Sequence, residues 1–435
     1  MNPADPREAV VRVLQRRAAG NAYTEDLLAQ ELAARPLPAI DRALAQELAY
    51  GIVRWERTLD WLIHRKTPGR MQKPVLQLLL RLGLYQLFWL DRIPDHAAVN
   101  ETVALARRLG FGPQSGFVNA VLRGYLRERQ STEAILEALK VNEPALGYSH
   151  PDWLFNRWNA RWGRDTAIQL MRWNNQPPRT CARVNTLRTP AEELTAIWTQ
   201  EGVAFEPISC EWLPEKLLFE LRAHAPLAEL SSFRNGLFYI QDPSTVLAAL
   251  ELAPLPGESI LDLCAAPGGK TTYIAQLMQN IGTIDARDLD PRRLRLVEEN
   301  CARLGVTCVR IQATPLGNGP PAQPYDGTLL DAPCSNTGVM RRRVDLRWRV
   351  RPEEIGRLRV AQLSLLTQAA RAVKPGGRLI YSTCSLEPEE NGLCVQGFLH
   401  EHPEYKMVRE RELLPVNDGV DGAYVARLVR SAELS

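Results

Sequence analysis

Ser259-Ile260-Leu261-Asp262-Leu263-Cys264-Ala265-Ala266-Pro267-Gly268-Gly269-Lys270 decides the fold. The short apolar run Ser259–Cys264 reads as a strand, breaks into a glycine turn, and gives way to a helix over Thr271–Met278. The same order repeats downstream. Gly282–Asp288 is a second strand with the helix Arg292–Leu304 after it, Val306–Gln312 a third strand, and Tyr325–Asp331 a fourth. A long helix, Ile355–Val373, turns through Pro375-Gly376-Gly377 into the strand Arg378–Thr383. Such alternation predicts a mostly parallel sheet with helices on both faces over residues 236–435. Ligands of such sheets bind beyond the carboxyl ends of the strands.

The chain upstream has a different texture. Apolar residues recur at three- and four-residue spacing through Ala9, Val10, Val13 and Leu14, and again from Leu76 to Leu87. Pro36, Pro38, Pro68-Gly69, Pro94, Gly110 and Gly112-Pro113 separate the segments, so residues 1–142 read as an all-α domain. Over 143–235 tryptophans cluster (Trp153, Trp158, Trp162, Trp173), a strand is expected at Arg179–Val184, and a helix at Pro190–Gln200 with Thr189 as its N-cap. This is the pattern of a small α+β module, its tryptophans read as core in preference to base-stacking rings.

With 435 residues, two or three domains are expected. No apolar run is long enough to span a bilayer, and Met1–Arg7 lacks a signal peptide's apolar centre, so a cytoplasmic protein is expected. The eight cysteines are dispersed with no Cys-x-x-Cys pair, which argues against a disulfide framework or a structural metal. The net charge of +3 is uninformative, but residues 1–140 carry 20 Lys/Arg against 15 Asp/Glu. Most of that basic excess is arginine, which suits phosphate contacts; a solvated helical surface is the competing reading.

Cys264, Ala265, Ala266, Pro267, Gly268, Gly269 and Lys270 form the candidate cofactor loop. Glycines let a ligand approach the backbone, and the following helix offers unpaired N–H groups. A Walker P-loop needs glycine where Cys264 stands, and the Gly-x-Gly-x-x-Gly dinucleotide pattern is absent. A nucleoside without pyrophosphate remains, and S-adenosylmethionine fits; a purely structural turn is the alternative. An acid at the end of the second strand would bind the ribose hydroxyls. Asp288, 18 residues after Lys270, is better placed for this than Asp285 or Asp290.

Two motifs fall at strand ends on the ligand side: Asp331-Ala332-Pro333-Cys334 and Ser382-Thr383-Cys384-Ser385. Cys181, Cys210, Cys301, Cys308 and Cys394 read as small hydrophobes, whereas Cys334 and Cys384 stand where reactive thiols are needed. Carbon 5 of a pyrimidine is too weak a nucleophile to take a methyl group directly. A thiolate added at carbon 6 makes it enamine-like, and a carboxyl group such as Asp331 can polarise nitrogen 3. A second thiol could assist release of the adduct. Spacing alone does not say which cysteine attacks. A methyltransferase acting on an exocyclic amine needs no thiol and carries an aromatic residue where Cys334 stands.

At these residues the chain closely resembles the RNA cytosine-5 methyltransferases of the Sun-like family, and within them the bacterial RsmB-type 16S ribosomal RNA (cytosine 967) enzymes. Cys264–Lys270, Asp331–Ser335 with Gly338, and Thr383–Ser385 with Pro388-Glu389-Glu390-Asn391 carry the catalytic-domain likeness. Glu47–Gly51, Leu80–Gln86, His96–Glu101 and Gly116–Arg123 resemble a NusB-like RNA-binding domain. The resemblance implies a Rossmann-like, S-adenosylmethionine-dependent C-terminal domain acting on 16S ribosomal RNA, free or in a small-subunit assembly particle. It implies Cys384 as nucleophile, Cys334 as the release cysteine, and Asp331 in contact with both cofactor and base. DNA cytosine-5 enzymes use the Pro-Cys cysteine instead, so this division rests on the family.

One departure stands out. Thr314 occupies the place of an acidic residue that the family sets near the cofactor's adenine. Arg341-Arg342-Arg343, with Arg347 and Arg349, is expected to meet RNA phosphates. A monomer without metal or membrane attachment is expected. The competing functions are the same chemistry on transfer RNA or another ribosomal RNA, and a non-catalytic RNA-binding assembly factor.

Overall fold

The computed structural model describes residues 5–313 and 323–432. They fall into two units: the chain up to Gln176 together with Met340–Arg349, and Pro177–Val339 together with the chain from Val350 onward.

The first unit is helical. Eight helices succeed one another between Pro6 and Asn142, followed by Asp152–Trp162 and Arg164–Asn174. Pro74–Trp89 lies at their centre, started by Pro74, whose missing N–H costs nothing at a helix N-terminus. Leu79, Leu80, Leu82, Leu84 and Leu87 are all buried, and a helix apolar over most of its circumference, with Gln77 and Arg81 on a half-buried face, belongs inside a bundle. Gly51 and Gly83 allow the crossings. A Cβ on Gly51 would stand 2.0 Å from the Tyr85 ring, and one on Gly83 2.6 Å from Leu122. Trp158 is fully buried, in keeping with a core role, while Trp153, Trp162 and Trp173 are half-buried.

Met340–Arg349 is threaded into this unit. Val344 joins its core. Asp345 accepts from the backbone N–H and hydroxyl of Thr24 at 2.7 and 3.0 Å and from Arg17 at 2.5 Å. Trp348 donates to the Val53 carbonyl at 2.7 Å. Arg347 is fully buried without a carboxylate. It donates instead to the carbonyls of Arg54 (3.2 Å) and Asn174 (2.8 Å), and to the Asn175 amide oxygen (2.7 Å). Arg54 and Asn174 are the last residues of two helices, where carbonyls lack helical partners and the helix dipole favours a cation. Arg341 lies 4.0 Å from the Trp173 ring centre, and Arg349 donates to the Ala22 carbonyl at 2.6 Å. The phosphate-binding expectation is therefore overturned at Arg341 and Arg347, which are buried and engaged within the protein. Of the five arginines only Arg343 is exposed.

The second unit holds two sheets. The smaller is antiparallel: β1 (Thr180–Val184), β2 (Ala204–Pro207), β3 (Leu218–Ala223) and β4 (Phe238–Ile240), in the order β2-β3-β1-β4. The helix Ala191–Gln200 packs Trp198 among Phe205, Phe219 and Phe238. Pro190, not Thr189, holds the N-cap position of that helix; the Thr189 hydroxyl points instead to Pro190 and Glu193.

The larger sheet comprises β5 (Ser259–Leu263), β6 (Thr283–Arg287), β7 (Val309–Gln312), β8 (Tyr325–Asp331), β9 (Val373–Thr383), β10 (Tyr405–Leu413) and β11 (Ala423–Arg430). Its order is β10-β11-β9-β8-β5-β6-β7. The strands β5 to β9 pair in parallel, and β10 and β11 close one edge antiparallel, a pair not anticipated from the sequence. β7 starts at Val309, later than expected, because Gly305 ends the preceding helix with φ 71 and Val306 N–H bonds back to Cys301. The register aligns the carboxyl ends. Leu263 pairs with both Arg287 and Leu330, and Asp331 with Ser382. Cys264, Asp288, Asp331 and Cys384 thus emerge at one edge. No helix among the described residues is long and apolar enough to cross a membrane.

Replacing Arg347 by leucine should destabilise the helical unit by about 1.5–3 kcal/mol, the value of a hydrogen bond to a charged group. Hydrogen exchange should quicken at the last turns of Ala39–Arg54 and Arg164–Asn174; unchanged exchange at both would contradict the capping role.

Candidate active site

The cofactor loop is set by two left-handed residues, Cys264 at φ 60 and Gly268 at φ 98. At Cys264 this geometry costs roughly 1–2 kcal/mol, so its surroundings must hold it. Ala265 N–H bonds the Arg287 carbonyl of β6 at 3.0 Å. Asp288 accepts from Ala266 N–H at 3.3 Å, and Arg293 bridges the Asp288 carboxylate (3.3 Å) and the Ala266 carbonyl (2.8 Å). The helix Gly269–Leu277 follows at once. From β1, Arg183 donates to the Gly269 carbonyl at 2.8 Å and to Thr272 at 3.1 Å.

The electrostatics of this loop are acidic. Asp262 lies fully buried on β5, one oxygen taking the Thr271 hydroxyl at 2.6 Å, the other without a hydrogen-bond partner. Burial pushes its carboxyl up to about 7. Burial, reinforced by Asp331, Asp288 and Asp262, pushes the Cys264 thiol up to about 12. The loop carries no cation free for a pyrophosphate, since Lys270 and Arg293 are paired with Asp331 and Asp288, whose carboxylate oxygens suit a ribose diol and a sulfonium cation; the residues fit S-adenosylmethionine.

Beyond β8 and β9 the two cysteine loops face each other. The Cys334 and Cys384 sulfurs are 3.4 Å apart. That hydrogen bond and burial push the Cys334 thiol well above its ordinary value. Lys270 pairs with Asp331 at 2.7 Å, and the Ser382 hydroxyl donates to the other Asp331 oxygen at 3.2 Å. Burial works against the charge of Lys270, but Asp331 outweighs it and holds the ammonium above its usual value. The structure thus brings together Cys264–Lys270, Asp288, Asp331, Cys334 and Cys384. Thr314 lies outside the described residues.

The centre of this arrangement is Glu390, to which the sequence pattern assigns no separate role. Its buried carboxylate accepts from Ser335 N–H at 2.8 Å, from the Ser335 hydroxyl, from the Ser385 hydroxyl at 2.5 Å, and from Gln362 at 3.0 Å. Burial raises this carboxyl against the lowering effect of its donors. The signal was present: each cysteine is followed by serine, Cys334-Ser335 and Cys384-Ser385, and both serines meet on one acid. Gly338 completes the lacing. Its N–H bonds the Cys384 carbonyl at 3.0 Å and its carbonyl takes Gly422 N–H at 2.9 Å.

With the thiols, the carboxylates and the glycine loop in one place, comparison with known proteins is decisive. Residues 249–429 match the model of the 16S rRNA methyltransferase RsmB/F family, 4–127 the NusB family, and 150–221 the ferredoxin-like domain of RsmF/B-like methyltransferases. The probable ribosomal RNA small subunit methyltransferase B of Synechocystis is 38% identical over 91% of this chain and 89% of its own length. The chain belongs to the RsmB/F methyltransferase family. Its counterpart in Bacillus subtilis is 35% identical over 93% of this chain and 90% of that protein. A methyltransferase homolog protein from Pyrococcus horikoshii, 31% identical, superposes with a TM-score of 0.59 over 66% of this chain and 98% of that one. The molecule is accordingly an S-adenosylmethionine-dependent methyltransferase with a NusB N-terminal domain, a ferredoxin-like middle module and a C-terminal catalytic domain.

A Cβ on Gly338 would lie 2.5 Å from the Gly422 carbonyl oxygen and 2.8 Å from its Cα. Gly338→Ala should drive the Asp331 loop off the backbone of Gly422, disturb the Gly338 hydrogen bond to the Cys384 carbonyl, and lower methyl transfer about 100-fold or more, as a misplacement near 1 Å does. Cofactor affinity, measured by calorimetry, should change little; full activity would show that the loops tolerate separation.

Proposed function

We propose that the chain methylates carbon 5 of a cytosine in 16S ribosomal RNA through a covalent adduct between Cys384 and carbon 6. The carrying observation is the pair of sulfurs 3.4 Å apart, at the ends of adjacent strands, beside the Lys270–Asp331 ion pair. A methyltransferase acting on a heteroatom has no use for two adjacent thiols, whereas carbon 5 of cytosine needs a nucleophile added at carbon 6. The relatives' names as small-subunit ribosomal RNA methyltransferases support the choice of RNA.

Bound S-adenosylmethionine supplies the methyl group. Cys264–Lys270 cradle it, and Asp288, held at the end of β6, stands ready for the ribose hydroxyls. Asp331 faces the target base, where its carboxylate accepts from the exocyclic amine, while the Lys270 ammonium beside it donates toward nitrogen 3 and polarises it. As the Cys384 sulfur bonds carbon 6, its proton passes to nitrogen 3, so that carbon 5 becomes nucleophilic. After methylation carbon 5 gives its proton to water, the electron pair left behind re-forms the carbon 5–carbon 6 double bond as the sulfur–carbon bond breaks, and nitrogen 3 returns its proton to the departing sulfur. Cys334 lies close enough to assist that last step. Its elevated thiol pKa keeps it protonated, and so a weak competitor for carbon 6.

Cys384→Ala should abolish methyl transfer, by about 10⁴-fold or more as for loss of a covalent nucleophile, with cofactor binding retained. Transfer at near wild-type rate would sink the assignment. Cys334→Ala should accumulate an RNA–protein adduct visible as a slow band on a denaturing gel. If no band forms while turnover continues, release does not depend on Cys334.

A further inference from the structure

Asn336 lies two residues after Cys334 in the left-handed region, at φ 59, which asparagine tolerates better than other side chains except glycine. Its carboxamide reaches both cysteine loops. Nδ2 donates to the Cys334 carbonyl at 2.6 Å, and Oδ1 accepts from the Cys384 sulfur at 2.9 Å. A main-chain carbonyl only accepts, so it decides which end of the amide faces which loop. Oδ1 must face the sulfur. An oxygen acceptor at that distance is favourable only while the sulfur keeps its proton. A thiolate there would set one acceptor against another. Of the charged groups nearby, Lys270 acts on Cys384 through space but is hydrogen-bonded to Asp331 at 2.7 Å and not to the sulfur, and Glu390 is taken up by Ser335, Ser385 and Gln362.

We infer that Asn336 is a positioning residue that holds Cys384 as an S–H-donating thiol in the resting enzyme, aimed across the gap between the loops. The inference rests on Cys384 being the nucleophile. Its benefit is restraint. A free thiolate beside a sulfonium methyl group is open to alkylation by the cofactor, and the Asn336 bond withholds it until the target base enters and displaces the contact.

The test uses the full-length protein without RNA or cofactor. A Raman difference spectrum of wild type against Cys384→Ser isolates the Cys384 S–H stretch, which should lie at the lowered frequency of a hydrogen-bonded thiol. Asn336→Gly keeps the left-handed backbone and removes the amide. It should move the band up and speed iodoacetamide alkylation of Cys384, read by peptide mass spectrometry, by about threefold or more. The alkylation of Cys334 should be little changed. No S–H band in wild type, or an unchanged band in Asn336→Gly, would overturn the inference; so would equal acceleration of both cysteines, which marks mere loosening. Methyl transfer by Cys384→Ala is a separate measurement, so failure of the nucleophile reading and failure of the Asn336 role are distinguishable.

Discussion

The Glu390 carboxylate takes hydrogen bonds from Ser335 and Ser385, the residues directly after the two cysteines, and the centre of the site is organised around it. Parallel pairing of β8 and β9 brings the strands to the same level, with Asp331 opposite Ser382. Pairing alone ends there, and beyond it each chain would be free to splay. Glu390 ties the splayed ends together from beneath. Asn391 adds to this, accepting from the Thr383 hydroxyl at 2.6 Å and donating to the Ser385 carbonyl at 2.8 Å. A buried carboxylate is costly unless its lone pairs are met, and here donors from both loops and from Gln362 meet them. Separating the loops would leave that charge unsatisfied, so the thiol–thiol distance is fixed by a polar network that touches neither sulfur.

The cofactor loop follows the same logic with opposite emphasis. Three acids surround Cys264, and Lys270 and Arg293 answer two of them. Asp262 has no cation at hydrogen-bond distance and takes a single hydroxyl. The loop is therefore held in a strained shape by Asp288 and Arg293, with Asp288 and Asp331 each paired to a cation beside it. Geometry and charge together select the ligand; glycines alone would not.

Much of this was legible in the sequence, and what was not had identifiable causes. The strand–turn–helix repeat placed Cys264, Asp288, Asp331 and Cys384 at one sheet edge because parallel strands read as short apolar runs with turns at their ends. The pair β10 and β11 is not legible in the sequence because Tyr405–Leu413 carries a row of exposed charged residues, as edge strands do to resist pairing with other chains. The arginine run misled because charge is visible in a sequence and burial is not. Arg341 covers a tryptophan ring, and Arg347 serves carbonyls that belong to residues far away in the chain. Glu390 and Asn336 stood inside recognisable motifs, but the partners that join the two loops, Ser335 for Glu390 and Cys384 for Asn336, lie 55 and 48 residues away, beyond what local spacing can reveal.

The segment Met340–Arg349 also bears on how the protein is made. The helical unit is discontinuous: its own core includes Val344, and two of its helix ends are finished by Arg347. A ribosome building the chain from the N-terminus delivers the first 176 residues long before that segment appears. The helices can associate as they emerge, but the Thr24 amide and the terminal carbonyls wait for Asp345 and Arg347. By the time those residues arrive, the strand bearing Asp331 has already been synthesised. Completion of the N-terminal unit is thus timed to the birth of the catalytic loop, and a ribosome stalled before residue 340 would carry an unfinished bundle.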